Sequence, residues 1–135
     1  DLPLPAYATP GSSGMDLRAC IAESVTIPPG GGALIGTGLA VALPAGTEAQ
    51  IRPRSGLAAE HGVTLLNSPG TIDSDYRGEI RLVVINHGQA PYTIHRGDRI
   101  GQMVVGQVLR VALEEVELLP ESARSAGGFG HTGKS

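Results

Sequence analysis

Twenty glycines and ten prolines among 135 residues leave little room for helices, because both residue types interrupt them. Such punctuation suits short strands joined by tight turns. The apolar and β-branched runs are spaced accordingly: Val25 to Ile27, Ala33 to Leu43, Ala49 to Ile51, Val63 to Leu66, Ile80 to Ile85, Tyr92 to Ile94, Ile100 to Val108 and Val111 to Val116. Between them stand Pro28-Pro29-Gly30-Gly31-Gly32, Pro44-Ala45-Gly46, Ser68-Pro69-Gly70 and Arg96-Gly97-Asp98. This rhythm predicts an all-β sandwich or jelly roll. Several runs are apolar at successive positions, which predicts strands covered on both faces. In so small a chain, covering both faces is easier if subunits pack against one another, and that packing is the expectation.

One domain is expected at this length. Aromatic residues are confined to Tyr7, Tyr76, Tyr92 and Phe129, so the core must be aliphatic. A net charge of −3 argues against a general nucleic-acid binder, which shows a basic excess, but leaves a local phosphate site open. Of the ten basic residues only Lys134 is a lysine. Arginine's planar fork can hold phosphate bidentately, although it also serves ordinary surfaces. Cys20 is the only cysteine, so an intrachain disulfide and a thiolate metal cluster are both excluded. No apolar run is long enough to span a bilayer, and the expectation is a cytoplasmic protein with no membrane partner.

A single helical signal interrupts the strands. Ser55-Gly56-Leu57-Ala58-Ala59-Glu60-His61-Gly62 has an N-cap residue at one end and a C-cap glycine at the other, enough for about two turns. From Leu119 onward the pattern dissolves into polar residues and glycine. The expected organisation is therefore a β domain over residues 1–118 and a mobile tail over 119–135. Gly128 to Ser135 matches the phosphate-loop pattern G-x-x-x-x-G-K-S. That motif needs a preceding buried strand and a following helix, and neither is signalled here. Phosphate contact by the tail's glycine amides remains physically sensible.

Three other stretches could carry chemistry. Arg54-Ser55-Gly56 places a guanidinium, a hydroxyl and a bare amide at a helix start, which serves an anion or simply an N-cap. Asn67 to Glu79 lies between two strand-like runs and so forms a hairpin or protruding loop. Asp73, Asp75 and Glu79 crowd there around Tyr76, either as solvated turn acids or, for Asp73, as a general base. Gln102 is polar within an apolar run, facing solvent or a ligand. The four histidines show no metal-ligand spacing.

Taken together and in order, these segments resemble the trimeric dUTPase family. The five family motifs correspond to Gly14 to Ala19, Pro53 to Ala58, Gly70 to Glu79, Arg96 to Met103, and Arg124 to Gly133. The resemblance implies a distorted jelly-roll β-barrel with one short helix and a glycine-rich C-terminal tail. It implies a homotrimer with an active site at each subunit interface, hydrolysing dUTP to dUMP and pyrophosphate with Mg²⁺. Asp73 would activate the water that attacks the α-phosphorus. Asn67 and the backbone around Thr71 and Ile72 would read uracil, and Tyr76 would exclude a 2′-hydroxyl. Arg54, Ser55, Gly56 and Gln102 would hold phosphates, with Arg81 near the nucleotide. From the tail, Arg124 would pair with the γ-phosphate and Phe129 would stack on the base, with Gly130 beside it. Asp16 would position the ion through water. His131 departs from the small hydroxyl residue expected at its place. A dCTP deaminase of related fold would need a different acid in place of the hairpin that carries Tyr76.

Overall fold

The computed structural model describes all residues from Asp1 to Ser135. Nine strands and one helix follow one another: β1 Met15–Arg18, β2 Val25–Ile27, β3 Gly32–Gly36, β4 Thr47–Arg52, α1 Ser55–His61, β5 Val63–Leu65, β6 Gly70–Ile72, β7 Arg81–Asn86, β8 Tyr92–Ile94 and β9 Arg99–Gln107. They form three antiparallel sheets ordered β1-β9-β4-β6, β3-β7-β5 and β2-β8. Its regular structure is therefore almost all strand, as its glycine and proline content predicts, and its crossovers are those of a jelly roll. No helix is long and apolar enough to cross a membrane.

Fourteen buried apolar residues make the core, and none is aromatic. Every β-strand but β6 contributes, including Leu17, Ile27, Ile35, Ala49, Ile51, Val63, Leu65, Leu82, Val84, Ile94, Ile100 and Met103. Each fully buried aliphatic side chain is worth roughly 1.5–3 kcal/mol, so the core dominates stability. The four- and three-stranded sheets meet closely where β9 crosses β7: a side chain at Gly101 would strike Leu82. Strand β7 alternates exposed and buried positions, with Leu82, Val84 and Asn86 inward. Its outward Val83 and Ile85 are half-buried, and Leu34 beside them on β3 is exposed. The both-faces cover that successive apolar residues predict is thus incomplete within one chain.

The helix differs from its predicted capping. Arg54, in an extended conformation, is the N-cap residue, and no side chain caps the helix. Ser55 is already helical, because the chain leaves β4 extended through Arg54. Gly62 ends the helix as predicted, left-handed at φ 68°, with its N–H donating to the carbonyls of Ala58 and Leu57. Burial is the main cause raising the Tyr92 phenol above its ordinary value of 10.0; Asp98 and Glu60 add to this and Arg54 opposes it. The neutral ring lies 4.9 Å from that of His61.

Beyond Gln107 the chain adds no strand or helix. The run Val111 to Val116, apolar enough for a strand, has no neighbour to pair with, and Leu109, Val111, Leu113 and Leu118 are exposed.

Candidate functional site

Strands β5 and β7 pair as a hairpin whose long loop, residues 66–80, holds β6. Strand β6 leaves the hairpin to pair with β4, Gly70 opposite Ile51 and Ile72 opposite Ala49. The folded-over loop borders an open cavity of about 260 Å³. Asn67, Thr71, Ile72, Asp73, Tyr76, Glu79 and Arg81 line it on a floor that includes Leu65, Leu82 and Val83. Six residues predicted for the site therefore meet in one place.

Their side chains divide into bonded and unbonded. Asp73, Asn67 and Arg81 make no side-chain hydrogen bond or ion pair within the chain, although all three are exposed in the cavity wall. Unsatisfied but hydrated groups of this kind are what a polar ligand needs, since binding then replaces water rather than a protein partner. The Asp73 carbonyl accepts the Tyr76 amide at 3.1 Å, which turns the chain so that acid and phenol share the cavity. The Tyr76 hydroxyl donates to the Glu79 carbonyl at 2.9 Å. Arg77 points away, its Nη1 donating to the carbonyls of Ser74 and Tyr76.

A second cluster forms where β1, β9 and the start of α1 converge. Asp16 lies opposite Gln102 in the β1–β9 ladder. Its carboxylate meets Arg54 Nε at 3.2 Å and Arg99 Nη1 at 3.3 Å. Arg54 also donates through Nη1 to the Arg99 carbonyl at 3.4 Å. Gln102 is half-buried and donates to the Pro53 carbonyl at 3.1 Å, so it supports the strand-to-helix turn rather than facing solvent. Ser55 and Gly56 are exposed on the first turn of the uncapped helix. Two guanidiniums on one carboxylate leave a net positive corner suited to an anion. Nothing local in the sequence marks Arg99; its contact with Asp16 arises only from the pairing of β1 with β9.

Asp73 and Arg54 stand at opposite ends of β4. Register puts Asp73, one residue past the Ile72–Ala49 pair, level with Glu48, whereas Arg54 follows the far end of the strand. Six residues of extended chain between them span roughly 20 Å. No side chain bridges that, and Arg54, Ser55, Gly56 and Gln102 are absent from the cavity wall. The tail joins neither cluster. Its hydrogen bonds are local, such as Arg124 Nε to the Gly127 carbonyl at 2.7 Å, and the Phe129 ring is fully exposed. No three His, Cys, Asp or Glu side chains converge as a metal site.

The dUTPase family model matches residues 1–133. The chain belongs to the dUTPase family. It is accordingly an enzyme of the dUTP diphosphatase kind. Among curated dUTPases, the deoxyuridine 5′-triphosphate nucleotidohydrolase of Maricaulis maris is 58% identical over 134 residues, covering 98% of this chain and 88% of the relative. That of Caldanaerobacter subterraneus is 61% identical over 133 residues, covering 98% and 90%. A mutant dUTPase of Staphylococcus bacteriophage 80alpha, solved with dUpNHpp, superposes with a TM-score of 0.89 at 24% identity over 98% of this chain and 93% of that one. A mutant dUTPase from phage phi11 of S. aureus, described with a structural Mg(II) ion, superposes with a TM-score of 0.78 at 22% identity over 87% and 91%. These likenesses to solved structures establish the shared jelly-roll fold.

Proposed function

We propose that the chain hydrolyses dUTP to dUMP and pyrophosphate through Asp73. The observation that carries this reading is the unbonded Asp73 carboxylate beside Tyr76 in a cavity with an unbonded Asn67 amide. A volume of about 260 Å³ suits the nucleoside end of the substrate. Asn67 and the backbone at Thr71 and Ile72 pair with the edge of uracil, and Tyr76 lies against the sugar where a 2′-hydroxyl would clash. Arg81 stands at the rim toward the nucleotide. Asp73 orients a water, takes its proton as the oxygen attacks the α-phosphorus, and pyrophosphate departs with the electron pair of the broken P–O bond. Arg54, Ser55, Gly56 and Gln102 hold the phosphates. Positioning and charge stabilisation of this kind account for most of phosphoryl-transfer catalysis.

The donor set fits Mg²⁺. This ion favours one or two carboxylates plus waters and substrate phosphates, and Asp16 is the acid beside the phosphate cluster. Asp16 would hold it through water, and the bound ion would neutralise charge on the triphosphate oxygens. The dUpNHpp bound by the 80alpha relative is consistent with a triphosphate site in this fold.

The assembled enzyme is a homotrimer in this proposal, with the hairpin of one copy facing the Arg54 cluster of the next. The roughly 20 Å between Asp73 and Arg54 in one chain supports that arrangement, as does the exposed apolar segment after β9. The tail supplies Arg124 to the γ-phosphate and Phe129 over the base, its glycines including Gly130 approaching the phosphates, and closes over the site. In the cytoplasm such an activity lowers dUTP, keeps uracil out of DNA and supplies dUMP for dTMP synthesis.

Pyrophosphate release from dUTP, dCTP, dTTP and UTP, measured side by side, tests the substrate; release from dCTP equal to that from dUTP would overturn it. Asp73→Asn should retain nucleotide binding and lose roughly 10³-fold in kcat, as expected for removal of a general base. Unchanged turnover would remove Asp73 from its role.

A further inference from the structure

Besides the β6–β4 ladder and the backbone bonds of Ile80, the hairpin bearing Asp73 and Tyr76 is tied to the barrel by a side chain of its own. Glu79 Oε1 accepts a hydrogen bond from the Gly38 amide at 2.9 Å, on the loop that follows β3. The backbone carbonyl of the same residue accepts the Tyr76 hydroxyl at 2.9 Å. Next along the chain, Ile80 is fully buried, its amide donating to the Leu39 carbonyl at 2.8 Å. Glu79 therefore stands where the fixed barrel gives way to the protruding loop, and it holds both sides. Two glycines make space for this. A side chain at Gly36 would put its Cβ 2.6 Å from Glu79 Oε1, and one at Gly78 would overlap the Tyr76 hydroxyl.

We infer that Glu79 is a positioning residue for sugar discrimination: its carboxylate, anchored on the Gly38 amide, sets the place of the Tyr76 ring against the deoxyribose. The inference rests on the proposed reading of Tyr76. Its physical basis is the steepness of steric repulsion. An aromatic ring rejects an added hydroxyl only if it cannot yield by a few tenths of an ångström, so the ring needs a stiff support more than a strong one. A carboxylate accepting a backbone N–H supplies that support, because the bond is charge-assisted and its donor belongs to the barrel. Glu79 is already engaged and need not touch the substrate. Asp73, two carboxylates earlier in the hairpin, is the acid that lines the cavity without a partner.

The test compares kcat and KM for dUTP and UTP in the wild type, Glu79→Ala, Glu79→Gln, Gly36→Ala and Tyr76→Ala, each as the full chain. Glu79→Ala should lower the dUTP-to-UTP ratio of kcat/KM roughly tenfold, the scale of one charge-assisted hydrogen bond. The UTP value should rise, and the dUTP KM should change more than kcat. Glu79→Gln retains an accepting oxygen and should restore most of the ratio. Gly36→Ala displaces the carboxylate from a neighbouring strand and should reproduce the loss. Wild-type ratios in both Glu79→Ala and Gly36→Ala overturn the inference, as does Glu79→Gln behaving like Glu79→Ala. If Glu79→Ala does not fold, Gly36→Ala against Glu79→Gln decides the matter. Tyr76→Ala separates the two levels: a ratio it leaves intact overturns the reading of Tyr76 itself, whereas a ratio it collapses while Glu79→Ala spares it overturns only the role of Glu79.

Discussion

Asn86 is the polar residue buried most completely in the core, and all its bonding capacity within reach is used. Its Nδ2 donates to the carbonyls of Ile27 at 2.9 Å and Ala90 at 2.8 Å, and its Oδ1 accepts the Gly88 amide at 2.8 Å. One side chain thus ties β2, β7 and the β7–β8 turn. Replacing it by alanine would leave backbone groups without partners where water has little access. Asn86→Ala should cost about 3 kcal/mol in urea unfolding; a loss under about 0.5 kcal/mol, the scale of an ordinary surface change, would show that water takes over the bonds. The site residues show the opposite condition. Asp73, Asp75 and Glu79 are three acids in one short loop, and sequence gives them similar surroundings. Folding distinguishes them, since Glu79 is bonded to Gly38, Asp75 lies outside the cavity, and Asp73 faces into it unbonded. The motif names the candidates, but the partner that singles out Glu79 comes from a distant loop.

At the level of elements, seven of the nine strands fall on apolar runs, whereas β1 and β6 fall on none. β2 and β8 coincide with their runs, and β4, β5, β7 and β9 depart from theirs by only a few residues. The run from Ala33 to Leu43 yields a strand only as far as Gly36, opposite Arg81 where β7 begins. Beyond it Thr37 turns inward, its Oγ1 donating to the Ile80 carbonyl at 2.6 Å. Local apolarity cannot reveal where a partner strand stops. The tail is the element for which the single chain offers no docking surface: its bonds stay within a few residues, and Phe129 sits exposed with a left-handed φ of 51°. Deletion from Arg124 onward should therefore leave the melting temperature and oligomeric state unchanged. The same deletion should reduce kcat/KM for dUTP at least about 100-fold, the effect of losing a closing element that excludes water and supplies charge. Normal turnover by the truncated protein would show that the tail is not a lid.

For the whole molecule, the consequential feature is the distance between the Asp73 hairpin and the Arg54 cluster along β4. If catalysis needs both, each site draws on two copies, and two inactive variants should complement one another. Asp73→Asn and Arg54→Ala, unfolded together and refolded at equal concentration, should recover roughly a quarter of wild-type activity by random assortment in a closed ring. Each refolded alone should stay inactive, and a mixture no better than its parents would place acid and guanidinium in one subunit. The sequence by itself determined the strand-rich architecture, because glycine and proline positions and apolar periodicity are local properties that act wherever the chain lies. It also marked the hairpin, the Arg54 turn and the tail as the places where chemistry resides. Only the tertiary structure decided which acid faces the cavity unbonded, which carboxylate braces the hairpin, and how far Asp73 lies from Arg54. Those depend on strand register, and register is fixed by pairing between residues remote in the chain.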